Sequence, residues 1–250
     1  MDLPRNFVIR EGDLRILNPF SPAKLATLGE VIKLRPGATL VDFCCGKGEL
    51  LCTWARDHGI TGTGIDICTA FLAAARARAA EFGVAVEFVH GDAAAYVAPD
   101  PADVVSCIGA TWIGDGPAGT IALLERSLRP GGTMLIGEPY WRLDPPDQAT
   151  VEGSHAQLKD DFRALPELVA HFGELGWDVV EMVLGSQDDW DRYGAAHWLN
   201  VRTWLDANPT DPLAAEMRAE LDTDPVRHVR YQREYMGWGV FVLKKRVAAP

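Results

Sequence analysis

From residue 39 onward, apolar and polar positions alternate in a regular rhythm. TLVDFCC (39–45) is a short β-rich run, and ELLCTWARDH (49–58) has helical spacing. ITGTGIDI (60–67) is a second strand, TAFLAAARARAAEF (69–82) an Ala-rich helix closed by Gly83, and AVEFVHGD (85–92) a third strand. ADVVSCIGA (102–110) is a fourth strand and AGTIALLERSL (118–128) the helix after it. RPGG (129–132) is a turn leading into TMLIGEP (133–139), the fifth strand. Strands alternating with helices of this length predict βαβ units and a parallel sheet.

After Pro139 the rhythm changes. Residues 142–160 are polar and carry Pro and Gly, which predicts an irregular segment. LPELVAHFGELG (165–176) reads as a helix and WDVVEMVL (177–184) as a strand. Residues 188–207, 212–222 and 225–236 read as helices, the first two parted by Asn208-Pro209. WGVFVLKK (238–245) closes the pattern as a strand. The expected fold is α/β, a seven-stranded, mostly parallel sheet with helices on both faces and a helical cap insert. Its expected parts are an N-terminal cap segment (1–35), a nucleotide-binding core (36–185), a helical lid insert (186–236) and a last strand (237–250) completing the core.

The chain has 250 residues, long enough to bury a full core without staples. No stretch approaches the ~20 apolar residues of a spanning helix. Charges at Asp2, Arg5, Arg10, Glu11, Asp13 and Arg15 interrupt any apolar leader, so a cytoplasmic location is expected. The five cysteines (Cys44, Cys45, Cys52, Cys68, Cys107) are odd in number and lie in the first half, with no CxxC spacing. No metal is expected, and small buried hydrophobes are their expected role. The net charge of −11 works against phosphate-backbone binding, so neither nucleic acid nor membrane is an expected partner. That charge is local: −3 over residues 1–143, −10 over 144–191 and +2 over 192–250. The acidic block is either a solvated outer layer or a bias toward neutral or cationic ligands.

Candidate chemistry starts at the first turn, LVDFCCGKGELL (40–51). Gly46 and Gly48 let backbone approach a ligand, and the following helix start offers free N–H groups. Asp66 ends the second strand, positioned to grip ribose hydroxyls; Asp92 ends the third, positioned to accept from an adenine amino group. Each acid alone could also be a helix N-cap. A dinucleotide site, and with it an NAD(P)-dependent oxidoreductase, needs a third glycine in G-x-G-x-x-G, and Leu51 stands there. A nucleoside ligand without a pyrophosphate suits the turn better.

In the order VDFCCGKG, GTGID, HGDAA, ADVVSCIGA, LRPGGTMLIGEP, the chain resembles a class I (Rossmann-like) S-adenosyl-L-methionine (SAM)-dependent methyltransferase over residues 36–185 and again over 238–245. GTGID, GATWIG and GEPYW resemble a poorly characterised bacterial small-molecule branch of that family. The resemblance implies an antiparallel last strand and SAM as cofactor. It implies that Asp42 and the backbone of Cys44, Gly46 and Gly48 line the methionine end. Asp66, with Ile67 beside it, would hold the ribose; Asp92 and the Ala93 N–H the adenine; and Gly109 and Thr111 the sulfonium side. One position departs from the pattern: Cys44 stands where the family has glycine. Either its backbone is strained at positive φ or its side chain points toward the cofactor.

The expected acceptor is a small molecule, since methyl transfer rests on alignment and needs a base only when the nucleophile has a proton to lose. Glu138 at the end of the fifth strand is a candidate catalytic group or a partner for Arg142. Trp112, Tyr140 and Trp141 are pocket candidates, the latter two equally core candidates. Trp190, Tyr193 and His197 fall on one helix face, which is core or closes over substrate; His197 is a candidate base or a structural histidine. Arg227, Arg230 and Arg233 recur every third residue, as a solvated stripe or an anion grip. A non-catalytic SAM-binding sensor is the rival reading. Oligomeric state has no signature.

Overall fold

The computed structural model describes residues 2–246; the last four residues of the expected terminal segment 237–250 lie outside the described residues. Seven strands form one sheet: β1 (Thr39–Phe43), β2 (Thr61–Asp66), β3 (Val86–His90), β4 (Ala102–Ile108), β5 (Leu128–Trp141), β6 (Trp177–Leu184) and β7 (Met236–Lys245). Their order is β3-β2-β1-β4-β5-β7-β6. The first five pair in parallel, and β7 runs antiparallel to both β5 and β6. The parallel sheet and the antiparallel last strand are as expected. Between β1 and β4 the strand order reverses, and a crevice opens there at the carboxyl ends of the strands.

Helices cover both faces, because strands buried on two sides need two apolar layers. On one face lie α2 (Pro22–Val31), α3 (Glu49–His58) and α4 (Thr69–Phe82), which bury Leu28, Leu51, Trp54 and Leu72 against Leu40 and Val104. On the other lie α5 (Pro117–Glu125) and α7 (Leu165–Glu174), which bury Leu124, Leu168 and Phe172 against Val105, Ile136 and Phe241.

Three segments differ from the sequence expectation. The first 35 residues hold two helices, α1 (Arg5–Glu11) and α2. Ser21 caps α2 through its side chain and Pro22 fills the first helical position, a start signal present in the sequence. α2 belongs to the core layer, so only α1 and the segment after it lie over the crevice. RPGG is not a separating turn but part of β5: the register jumps from Ala102↔Leu128 to Val104↔Thr133, and the intervening residues bulge out of the ladder. The polar stretch 142–160 contains a short helix, α6 (Gln148–Gly153), capped by Asp147.

The insert is helical, as expected. α8 (Gln187–Ala207) and α9 (Ala214–Arg227) share a small apolar cluster of Val201, Leu205 and Met217, with Ile9 of α1 packed on it. Pro225 sits inside α9, and a π-helical turn (His228–Gln232) follows. α1 is fastened to this insert by Arg5–Asp211, Arg10–Glu220 and Asn6–Glu216.

Candidate active site

The crevice is a cavity of about 1270 Å³. Its floor is made by the ends of β1, β2, β4 and β5, and its roof by α1, the segment 15–20 and α8. Pockets for one small ligand span about 300–1,000 Å³. This one has room for a cofactor and an acceptor together.

The first turn is built as a cradle. Gly46 and Gly48 have φ of 53° and 68°. A Cβ on Gly48 would lie 2.7 Å from the Phe88 ring, so glycine is required there by space as well as by backbone. Cys44 shares the left-handed conformation at φ 58°, which settles the first of its two readings: its backbone is strained. A residue with a Cβ pays on the order of 1 kcal/mol there. Cys44 also lines the cavity and packs against the core cluster that holds Cys107.

Asp66 braces this turn. It is 6% exposed, and its two carboxylate oxygens accept the Gly46 N–H and the Cys68 N–H, each at 2.8 Å. Burial raises its pKa above the ordinary carboxylate value while those two bonds pull it back. Asp42, buried at the end of β1, accepts the Ser106 hydroxyl at 2.7 Å. Burial pushes its pKa up to about 7, the Ser106 bond lowers it and the charge on Asp66 raises it further. Lys47, between the glycines, donates to the Glu11 carbonyl at 2.9 Å and to the Gly12 carbonyl, tying the turn to the end of α1.

Across the crevice, Thr111 Oγ1 donates to Glu138 Oε2 at 2.6 Å. Glu138 is 7% exposed, and burial pushes its pKa to about 7 against that bond. Its partner is Thr111 and not Arg142, which donates instead to the Glu234 carbonyl. Gly109, at φ 80°, passes under Asn18, whose side-chain amide donates to the Ile108 carbonyl at 3.2 Å.

Asp42, Cys44, Gly46, Asp66, Gly109, Thr111, Trp112, Glu138, Trp190 and Tyr193 therefore line one cavity. The remaining candidates stand elsewhere. Gly48 and Ile67 lie just behind the lining. Asp92 is exposed and caps a short 3-10 turn by accepting the Ala94 N–H at 2.9 Å, beside buried Ala93. Tyr140 and Trp141 are core: Tyr140 packs over Gly237, and Trp141 Nε1 donates to the Lys159 carbonyl at 2.7 Å. His197 stands behind Tyr193, its ring centroid 4.3 Å from that ring and its Nε2 3.3 Å from the carboxylate of buried Glu11. The Tyr193 hydroxyl lies 3.0 Å from the same carboxylate. The two residues hold the lid onto α1. Among the described residues no three His, Cys, Asp or Glu side chains converge as metal ligands, and the five cysteines are free thiols.

Residues 40–132 match the family described as "Methyltransferase domain". The chain is 55% identical, over 98% of its length and all of the relative's, to the uncharacterized protein YjhP of Escherichia coli K12. It is 59% identical, with a TM-score of 0.97, to a SAM-dependent methyltransferase from Geobacter sulfurreducens solved with S-adenosyl-L-homocysteine (SAH), covering 98% of this chain and 99% of that one. The chain belongs to the SAM-dependent methyltransferases. A second member, from Thiobacillus denitrificans and also solved with SAH, is 56% identical with a TM-score of 0.97, covering 98% of this chain and all of that one. The methyl donor is SAM, and the dinucleotide and sensor readings fall away. The turn fits that donor: two glycines give it its tight left-handed shape, the start of α3 carries no side-chain cap, and Asp42 and Asp66 offer carboxylates at the strand ends.

Sequence reasoning missed what the N-terminal segment contributes to this methyltransferase, namely Phe7, Arg10, Leu17 and Asn18 in the cavity wall. It also missed His155, which lines the cavity at φ 63°. No local pattern announces either, because both depend on segments distant in sequence folding back over the crevice.

Proposed function

We propose that this methyltransferase acts on a small-molecule acceptor held inside the cavity beside the donor. The observation that carries this reading is the covered crevice: α1 and α8 lie over Asp42, Asp66 and Glu138, and the space of about 1270 Å³ has volume for a second small ligand beside the donor. Bound there, SAM supplies an electrophilic methyl group. Asp42, with the backbone of Cys44, Gly46 and Gly48, holds the methionine end. Asp66 and Ile67 hold the ribose side, Asp92 and Ala93 the adenine side, and Gly109 and Thr111 the sulfonium side. Glu138, whose pKa burial raises to about 7, faces the acceptor and hydrogen-bonds it, with Thr111 fixing its rotamer. Trp112, Trp190 and Tyr193 wall the acceptor. Tyr140 and Trp141 support that wall from the core, and His197 serves by steadying Tyr193 and Glu11.

The chain's contribution to rate is alignment and exclusion of water. The test is calorimetry with SAM and SAH, followed by incubation with methyl-labelled SAM and a panel of phenols, thiols, amines and carboxylates. Micromolar binding of both and label on a panel compound support the reading. Label appearing on protein or RNA instead would replace it.

A further inference from the structure

Two polar atoms in the cavity wall have no partner in the fold. Ser154 is 2% exposed and lines the cavity, and its Oγ is buried without a hydrogen bond among the described residues. Trp190 lines the same cavity, and its indole Nε1 is likewise buried and unpartnered. Buried polar atoms are nearly always paired, because one left unmet has given up its bond to water for nothing. The indole N–H can only donate, so it calls for an acceptor; the serine hydroxyl serves either way.

A third group stands beside them. Gln232 lines the cavity at the end of the π-helical turn, a distortion that recurs at functional sites. Buried His228 fixes its amide: Nδ1 lies 3.1 Å from Gln232 Oε1, and Nε2 lies 2.9 Å from Asp191 Oδ1. That leaves the Gln232 amide nitrogen without a partner among the described residues. Local packing gathers the three groups. A Cβ on Gly153 would lie 2.2 Å from the Tyr231 ring, so the end of α6, with Ser154, sits directly on the turn that carries Gln232. Asp191, next to Trp190, accepts from Arg233 as well as facing His228, and so clasps that turn from both sides. Trp190 also packs on the apolar cluster of Trp141, Val151, Ala156 and Met236. This end of the cavity is therefore apolar and carries three neutral polar groups.

We propose that Ser154, Trp190 and Gln232 form the recognition subsite for the methyl acceptor, and that they take a carbonyl oxygen on an uncharged, largely apolar molecule. The inference rests on the small-molecule reading above. A carbonyl oxygen has two lone pairs and no proton, so it accepts from the Trp190 and Gln232 N–H groups together. Ser154 joins them by turning a single side-chain torsion. A hydroxyl would bring a proton that only Ser154 is free to accept, since the Gln232 oxygen is engaged by His228. A carboxylate would leave water with no countercharge from any of the three groups. The subsite orients the acceptor; the atom that is methylated lies elsewhere on the molecule.

The test uses the SAH-bound protein and three probes of matched size: acetophenone, ethylbenzene, in which a methylene replaces the carbonyl, and benzoate. Binding is followed by NMR on the tryptophan indole N–H signals, with Trp190→Phe identifying the Trp190 signal. Acetophenone should move that signal and bind at least about tenfold more tightly than ethylbenzene. Trp190→Phe, Gln232→Leu and Ser154→Ala should each cut that preference to about threefold or less, with SAH affinity unchanged within about twofold. Should Trp190→Phe fail to fold, the other two variants decide the matter. Equal binding of acetophenone and ethylbenzene overturns the proposal. So does a Trp190 signal that acetophenone leaves unmoved, tighter binding of benzoate than of acetophenone, or a preference that survives the substitutions. A wild-type protein that does not bind SAH would instead bring down the donor site, and label transferred to protein or RNA would bring down the small-molecule reading, each taking this proposal with it.

Discussion

Replacing Asp66 by alanine removes the two acceptors that hold the cofactor turn to the start of α4. The N–H groups of Gly46 and Cys68 lose their partners, and both residues are buried. Each orphaned donor costs about 1–3 kcal/mol. Part of that is returned, because burial already holds the Asp66 carboxyl above its ordinary pKa and its charge no longer has to be desolvated. The expected net loss is about 2–4 kcal/mol, or roughly 5–10 °C in melting temperature for a chain of this size. Asp66→Asn keeps one acceptor oxygen and should lose roughly half as much. Affinity for SAH should fall more than about tenfold in the alanine variant, through the lost ribose contact and the displaced Gly46–Gly48 backbone. The assay is thermal denaturation of the ligand-free protein beside calorimetry with SAH. The two readouts separate two roles. A residue that only binds ribose would lose affinity with an unchanged melting temperature, and that result would refute the bracing argument. An unchanged affinity would refute the placement of the cofactor.

Cys44→Gly should be more stable than Cys44→Ala by about 1 kcal/mol, since alanine retains the left-handed penalty at φ 58° and glycine does not; equal melting temperatures would show the strain to be absent. Asp42 and Glu138 both titrate near 7 in the fold but near 4 when unfolded, so the folded state holds extra protons between those values. Ligand-free stability should therefore fall as pH rises from about 4 to 7, and Glu138→Gln should flatten that slope. His155 acts in the opposite sense at the acid end, its stabilising neutrality being lost from about 6.5 down to 4. Affinity for SAM should rise with pH through about 7 as Asp42 ionises to meet the donor's ammonium group, and a flat profile would remove Asp42 from the methionine end. Glu11→Ala should raise hydrogen exchange in residues 5–11 and 187–207 while leaving the sheet protected, because the buried carboxylate joins Tyr193 and His197 to α1.

The strands and core helices were legible because each signal is local. A buried parallel strand is a short apolar run, and such runs place Asp66 at the end of β2; Glu138, expected at the end of its strand, stands inside β5, which continues to Trp141. RPGG misled for the same reason: four turn-forming residues look alike whether they separate two elements or bulge out of one ladder. The Thr111–Glu138 bond joins residues 27 apart in sequence, and nothing near Glu138 points to it. Arg142, four residues on, is the nearer cation but is drawn away to the carbonyls of Arg233 and Glu234. The helical spacing of Trp190, Tyr193 and His197 was read correctly as one face. How far along that face the cavity extends is set by the tilt of α8 over α1. Trp190 and Tyr193 reach the cavity, while His197, a turn further, reaches Glu11.

The acidic block at 144–191 can now be weighed between its two readings. Asp147, Asp161 and Asp189 accept backbone N–H groups at helix starts. Asp144 pairs with Lys159, Asp178 with Arg246, and Asp191 with Arg233 and His228. These acids hold the segment and the lid in place. Inside the cavity, burial raises the pKa of Asp42 and of Glu138 to about 7. Arg10, Arg15, Lys47 and Arg163 share the same lining, and so do Glu49, Asp66, Asp115, Asp160 and Asp161. The lining therefore keeps an excess of acids over bases, in the same sense as the chain charge of −11. An aromatic-walled cavity whose lining acids outnumber its bases disfavours an anionic acceptor, because an anion would leave its hydration shell for carboxylates of its own sign.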